Sequence, residues 1–202
     1  MRSRRSRFAA TAACLVVTLV AACTSNVGST DGPARDRTTG TSTAPRSPDT
    51  VAPPPKPAPI DPAAVDATNP EAVAEAVATA SVTWDTTVDV SDFDGIRRVS
   101  ALLTPALAAT LAPVEHPAPG PEWADAASAK SYNAPTVYTA EDTHGAPPDT
   151  AAEVYRAYTA TWVWVSSGGT VRTDPRTRTI YLTIALQPDG RWLVSTFDYT
   201  DL

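Results

Sequence analysis

Thr179–Tyr199 reads TIYLTIALQPDGRWLVSTFDY, and its two halves are written as paired strands. Ile180, Leu182, Ile184 and Leu186 fall at every second position, so an extended chain places all four on one face. Pro188-Asp189-Gly190 is a turn signal: proline presets φ, and glycine accepts the positive φ that a tight reversal demands. Arg191–Tyr199 (RWLVSTFDY) then returns as the partner strand. Upstream, Glu153–Ser166 (EVYRAYTATWVWVS) is long and rich in Tyr, Thr, Val and Trp, residues that favour a pleated backbone, and Ser167-Gly168-Gly169 supplies its turn. Tyr132–Ala140 has the same β-branched and aromatic character.

Before these strands the pattern is helical. Asn69-Pro70-Glu71 combines a capping side chain, a proline at the first helical position and an acid in the first turn. Val73, Val77, Ala80 and Trp84 recur at three- and four-residue steps, with Glu71, Glu75, Thr79 and Asp85 on the other side. Asp92-Phe93-Asp94-Gly95 breaks the run. Ile96, Val99, Leu102 and Leu103 then repeat the helical period. Thr104-Pro105 opens a short helix carrying Leu107 and Leu111, ended by Pro113, and a proline-heavy loop from His116 to Pro121 precedes Trp123. Helices followed by a meander of antiparallel strands make an α+β domain, with amino-terminal helices packed on a curved antiparallel sheet.

The helical pair Glu71–Leu111 and the closing Asp189-Gly190-Arg191-Trp192-Leu193-Val194-Ser195-Thr196-Phe197 resemble the cone-shaped fold of nuclear transport factor 2, the ketosteroid isomerases and their relatives, over Asn69–Tyr199. The resemblance implies a cavity between helices and sheet. In the isomerases an acidic base sits there with its pKa raised by apolar walls. Candidates by position are Asp85 and Asp198, with Tyr155, Tyr158 and Tyr181 able to face a cavity. Many members without catalytic residues serve as interaction modules, and a related domain occurs in assembly proteins of conjugation channels.

The amino terminus gives an address. Arg2, Arg4, Arg5 and Arg7 form a positive head, and Phe8–Ala22 is an apolar run broken by Thr11 and Thr18. At fifteen residues that run is shorter than a bilayer-spanning helix of roughly 20. Val20-Ala21-Ala22-Cys23 resembles the bacterial lipobox, whose cysteine thiol takes a diacylglycerol before the chain is cut in front of it. With its acyl chains Cys23 would anchor the protein stably to the outer face of the cell membrane. Ser3-Arg4-Arg5-Ser6-Arg7-Phe8 also resembles a twin-arginine export signal. Nine of the 20 prolines lie between Thr24 and Asp66, where Leu, Ile and aromatics are almost absent, so this stretch cannot offset the entropy of ordering. It reads as a disordered spacer, about 130 Å long if fully in the polyproline form. The expected organisation is a signal peptide over 1–22, lipidated Cys23 and tether over 23–66, and a folded domain over 67–202. A charged head, a Ser/Thr/Pro tether and such a domain resemble actinobacterial lipoproteins.

Charge narrows the partners. Of 16 basic residues four leave with the head, so 12 face 22 acids, a net of −10. A surface that negative repels phosphate, which argues against nucleic acid and against lying on anionic lipid. Of the two cysteines Cys14 leaves with the export segment and Cys23 is consumed by lipid, so no thiolate metal site is expected. His116 and His144 sit in separate proline-rich loops without ligand spacing, and no phosphate loop or nucleophile elbow is present. Asp89, Asp92 and Asp94 read as a solvated acidic turn, lacking the closing glutamate of a calcium loop. Trp84 and Trp192 read as core. Trp162 and Trp164, two apart on one strand, project from one face and are either core or an exposed aromatic patch. No catalytic residue, metal or cofactor is expected. The expected role is a non-catalytic binding or scaffolding module, with Trp162, Trp164, Tyr155, Tyr158 and Tyr181 as candidate pocket or surface and envelope or secretion-channel proteins as partners. A small-ligand carrier or isomerase-like enzyme using the cone is the alternative.

Overall fold

Asn69 caps the first helix: its side-chain oxygen accepts the Glu71 N–H at 3.0 Å, and Pro70 opens α1 (Pro70–Ser81). The computed structural model describes residues 52–113, 120–140, 145–172 and 174–202. Cys14, Cys23, His116, His144 and the whole expected signal peptide lie outside these residues. After α1 come α2 (Asp94–Arg97), α3 (Pro105–Thr110), α4 (Pro121–Ser128) and strands β1 (Tyr132–Thr139), β2 (Glu153–Val165), β3 (Arg176–Leu186) and β4 (Trp192–Asp201). The strands form one antiparallel meander in the order β1-β2-β3-β4, and the chain is α+β.

Two elements differ from the sequence reading. Helix α1 stops at Ser81, three residues short of Trp84, because β1 takes over the backbone there. The fully buried Asn133 accepts the Trp84 N–H at 2.6 Å and donates to the Val82 carbonyl, while its own N–H bonds to the Trp84 carbonyl at 3.1 Å. Asp85 then bridges to Tyr132 as a strand does. The run Ile96–Leu103 is not one helix either; α2 is a single turn, and Ser100–Leu102 is a separate 3-10 turn. Residues 121–128, beyond the first of which the sequence reading assigns no element, form α4.

The core lies between α1 and one face of the sheet. Val73, Val77 and Ala80 of α1, with Ile96, Val99, Leu102 and Leu103 behind them, meet Tyr158, Ala160, Ile180, Leu182, Ile184 and Val194. Alternation along β3 is as the sequence implies, Ile180, Leu182 and Ile184 being buried in turn. A register shift after Thr183 leaves Ser195 unpaired, and its hydroxyl donates to the Thr183 carbonyl at 3.2 Å. Gly190, at φ 85, makes the β3–β4 reversal.

Residues 52–66, the carboxyl end of the expected tether, lie on the domain. The Tyr132 hydroxyl donates to the Pro54 carbonyl at 2.6 Å, Lys56 pairs with Asp85, and Ile60 and Val65 pack against the core around a 3-10 turn at Pro62–Ala64. Among the described residues no helix is long and apolar enough to cross a membrane.

Candidate functional site

Alternation along β2 decides where its side chains go. Tyr158, Ala160, Trp162 and Trp164 all face the helices and are buried, whereas Tyr155 and Thr159 face outward. Trp162 and Trp164 are therefore core and not an exposed patch. They meet Trp84, arriving from the end of α1, and Trp123, carried in by α4. Trp84 stacks on Trp164 at 5.9 Å between ring centres and meets Trp162 edge-on at 5.4 Å; Trp123 is edge-on to both Trp84 and Trp164, at 6.0 and 5.9 Å. Such offset and edge-to-face pairs add to what burial alone contributes, about 0.5–1.5 kcal/mol each.

Beside these rings is a cavity of about 450 Å³, reached by Trp84, Trp123, Trp162 and Trp164 and by Asp92, Glu122, Arg176, Arg178 and Asp201. Arg178 is its central cation. Only 5% exposed, its guanidinium lies 5.6 Å from the Trp84 ring, 5.7 Å from Trp162 and 3.8 Å from Tyr199. Asp201, across on β4, grips it with both oxygens, at 2.6 Å from Nε and 3.1 Å from Nη2. Glu122 plays two parts: one oxygen accepts the Trp164 indole N–H at 2.7 Å, and the other pairs with Arg176 Nε at 3.1 Å. The Trp84 indole N–H donates to the Asp92 backbone carbonyl at 2.7 Å.

Two groups stand out. Trp162 Nε1 is buried and finds no acceptor among the described residues. Leaving such a donor unpaired costs about 1–3 kcal/mol, and Trp162 is one of the residues that line the cavity. The Arg178 guanidinium, held by Asp201 through Nε and Nη2, lines the same cavity and adds a charged donor group there. The other group is Asp92, whose carboxyl is pushed above the usual carboxylate range by burial, a shift that the Arg178 charge partly opposes. Asp92 is an acid in the cavity, where the sequence reading has a solvated turn. No spacing marks it; only the Trp84 hydrogen bond, eight residues back, brings its segment there.

The candidate acids and tyrosines go elsewhere. Asp85 pairs with Lys56 and accepts from Thr87, outside the tryptophan cavity. Asp198 is on the outer face of the sheet, opposite Tyr181. Tyr155 and Tyr181 are also on that face, so the five aromatic candidates divide: Trp162, Trp164 and Tyr158 inside, Tyr155 and Tyr181 outside. Burial and the charges of Glu71 and Glu75 push the Tyr158 phenol up to about 12, which keeps it protonated at neutral pH. The acidic turn is not solvated as expected. Asp89 is buried, pairs with Arg98 and accepts the Asp85 N–H at 2.8 Å; Asp94 accepts from Val90 and Ser91 and pairs with Arg97 at 2.7 Å. Both carboxylates tie the loop together. Among the described residues no three His, Cys, Asp or Glu side chains are placed to hold a metal.

Comparison of the chain with family models, with characterised proteins and with solved structures returned no match.

Proposed function

We propose that this protein is a lipoprotein held at the outer face of the cell membrane through Cys23, and that its domain is a nuclear-transport-factor-2-like cone acting as a non-catalytic binding module. Its ligand is a small molecule, or a partner's side chain, that presents an oxygen acceptor to the tryptophan cavity. The observation that carries this reading is the buried, unpaired Trp162 indole N–H beside the Arg178 guanidinium. Four indole faces supply desolvated contact area, and two donors supply orientation, the combination found in small-molecule sites.

The test is native mass spectrometry of the full-length protein extracted gently from its own membrane. A retained small molecule, lost in Trp162→Phe and in Arg178→Met, supports the reading; extraction free of any such molecule, with Trp162→Phe indistinguishable from the parent, sinks it. The same spectra report the diacylglycerol mass on Cys23, which Cys23→Ser removes. In-cell crosslinking with that same control tests for an envelope or secretion-channel partner.

A second reading, isomerase-like chemistry, is favoured by Asp92 alone. A carboxyl whose pKa is raised by burial could take a proton from a substrate held by the Trp162 N–H. Asp92→Asn separates the two, because it would abolish turnover and leave ligand retention in place.

A further inference from the structure

The outer face of the sheet carries a second cavity, of about 530 Å³, which shares no lining residue with the tryptophan cavity. Two ladder rows line it. Ala157, Tyr181 and Asp198 stand opposite one another across β2, β3 and β4, and Tyr155, Thr183 and Thr196 form the row beside them. The Tyr181 ring is 47% exposed, whereas Ala157, next to it, is 3% exposed and forms a low floor. Gly145–Pro147 closes one side. That wall is pinned by Asp149, which accepts the Tyr155 N–H at 3.1 Å and Arg156 Nη1 at 2.8 Å. The Tyr155 hydroxyl is held by Glu153 at 2.6 Å.

The polar groups here are open to solvent in whole or in part. The hydroxyls of Tyr181, Thr183 and Thr196 make no hydrogen bond among the described residues, and Asp198 engages one oxygen only, with the adjacent Tyr199 N–H at 2.9 Å. A half-exposed flat ring, three free hydroxyls and a carboxylate oxygen suit a ligand with a C–H face on one side and a fringe of hydroxyls on the other. Arg156 is already taken by Glu71 and Asp149, so Asp198 leaves the trough acidic and unfavourable to anions. An apolar peptide side chain would leave the hydroxyls desolvated and unpaired.

We infer that this trough is a binding site for an uncharged saccharide, stacked on Tyr181 and hydrogen-bonded by Asp198, Thr183 and Thr196. It is independent of the tryptophan cavity and stands or falls without it. The test is saturation-transfer NMR on the full chain in detergent micelles, with chitotriose and cellotriose as probes. The expected result is transfer to the sugar ring C–H protons of at least one probe. Tyr181→Ala and Asp198→Asn each weaken its binding by at least about tenfold. Tyr181→Phe, which keeps the ring, stays close to the parent. Tyr138→Ala, an exposed outer-face aromatic beyond the trough, changes nothing. Transfer no greater than to empty micelles for both sugars overturns the inference. So does transfer that survives unchanged in Tyr181→Ala and Asp198→Asn, or capture of a peptide in the trough with neither sugar bound.

Discussion

Gly95→Ala is expected to destabilise the domain by about 3 kcal/mol. On helix propensity alone the change is favourable by about 1 kcal/mol, since alanine is the better helix former. Packing reverses the sign. A Cβ on Gly95 would lie 3.0 Å from the Thr83 carbonyl oxygen and 3.2 Å from the Trp84 indole nitrogen, and closer still to the Ala80 carbonyl oxygen. The two oxygens are backbone atoms and cannot swing aside. Each is also occupied, Ala80 by the Thr83 N–H at 3.2 Å and Thr83 by Arg98 Nη2 at 2.5 Å. Relief therefore means sliding α2 off the end of α1, which loosens both bonds and the Trp84–Asp92 hydrogen bond with them. Overpacking of this kind costs about 1–3 kcal/mol, and each weakened hydrogen bond about 1 kcal/mol more. A domain of this size loses roughly 2–4 °C in Tm per kcal/mol, so the expected fall is about 6–12 °C. The assay is urea unfolding of the full chain followed by tryptophan emission, with an unchanged m-value and a lower midpoint. Gly168→Ala, where an added Cβ meets only the Ser166 hydroxyl at 3.8 Å, is the control and should stay within about 0.5 kcal/mol. A loss below about 1 kcal/mol for Gly95→Ala would refute the close approach of α2 to α1.

Asn133→Ala removes the partner of the Trp84 N–H and the Val82 carbonyl, two buried groups, and should lower stability by about 2–4 kcal/mol by urea titration; a change under 1 kcal/mol would mean those groups find other partners. Asp92 has a raised folded pKa, so the native state binds its proton more tightly than the unfolded chain does, and its contribution to stability falls as pH rises above the ordinary carboxylate value of 3.8. Asp92→Asn should therefore stabilise the domain at pH 7 and lose that advantage toward pH 4, and a midpoint difference that does not vary with pH contradicts the assignment. Limited proteolysis of the full chain should clip before Pro53 and spare residues 57–66, because Ile60 and Val65 pack on the core; rapid cutting between Ala58 and Asp66 would show that the segment is not docked.

How far the sequence foretold this depends on whether a signal is local. The sheet was legible because alternation in β3 and the Pro188-Asp189-Gly190 turn act within a few residues. The start of α1 was legible for the same reason, since the cap, proline and acid are consecutive. Its end was not, because the residue that ends it, Asn133, lies 49 positions from Trp84 and wins the backbone by hydrogen bonding from β1. Helix α4 begins Gly120-Pro121-Glu122, nearly the grammar of Asn69-Pro70-Glu71, yet proline density upstream reads as loop. The spacing of Trp162 and Trp164 placed both on one face, but which face is inward depends on where α1 and α4 pack. Asp92 was indistinguishable for a related reason: its neighbours Asp89 and Asp94 carry the same charge in the same short turn, and only the fold sends one carboxyl to the cavity and ties the other two into the loop.

The pleat of the sheet also keeps the two candidate sites separable. Trp162 and Arg178 point to the helices, Tyr181 and Asp198 point away, and each pair is one residue out of phase with the other along the same or adjacent strands. A substitution in either set leaves the other face's side chains in register, so a specific loss at one site with the other intact reports that site's chemistry. Substitutions at Asn133 or Gly95 act differently, because they disturb the junction from which Trp84 enters the cavity. They should weaken the tryptophan cavity in step with stability while sparing the outer trough, whose lining comes from β2, β3, β4 and Gly145–Pro147. A variant such as Asn133→Ala that lost both sites together would show that the sheet itself depends on that junction, and would place the limiting cooperative unit of the fold across β1 and not within β2–β4 alone.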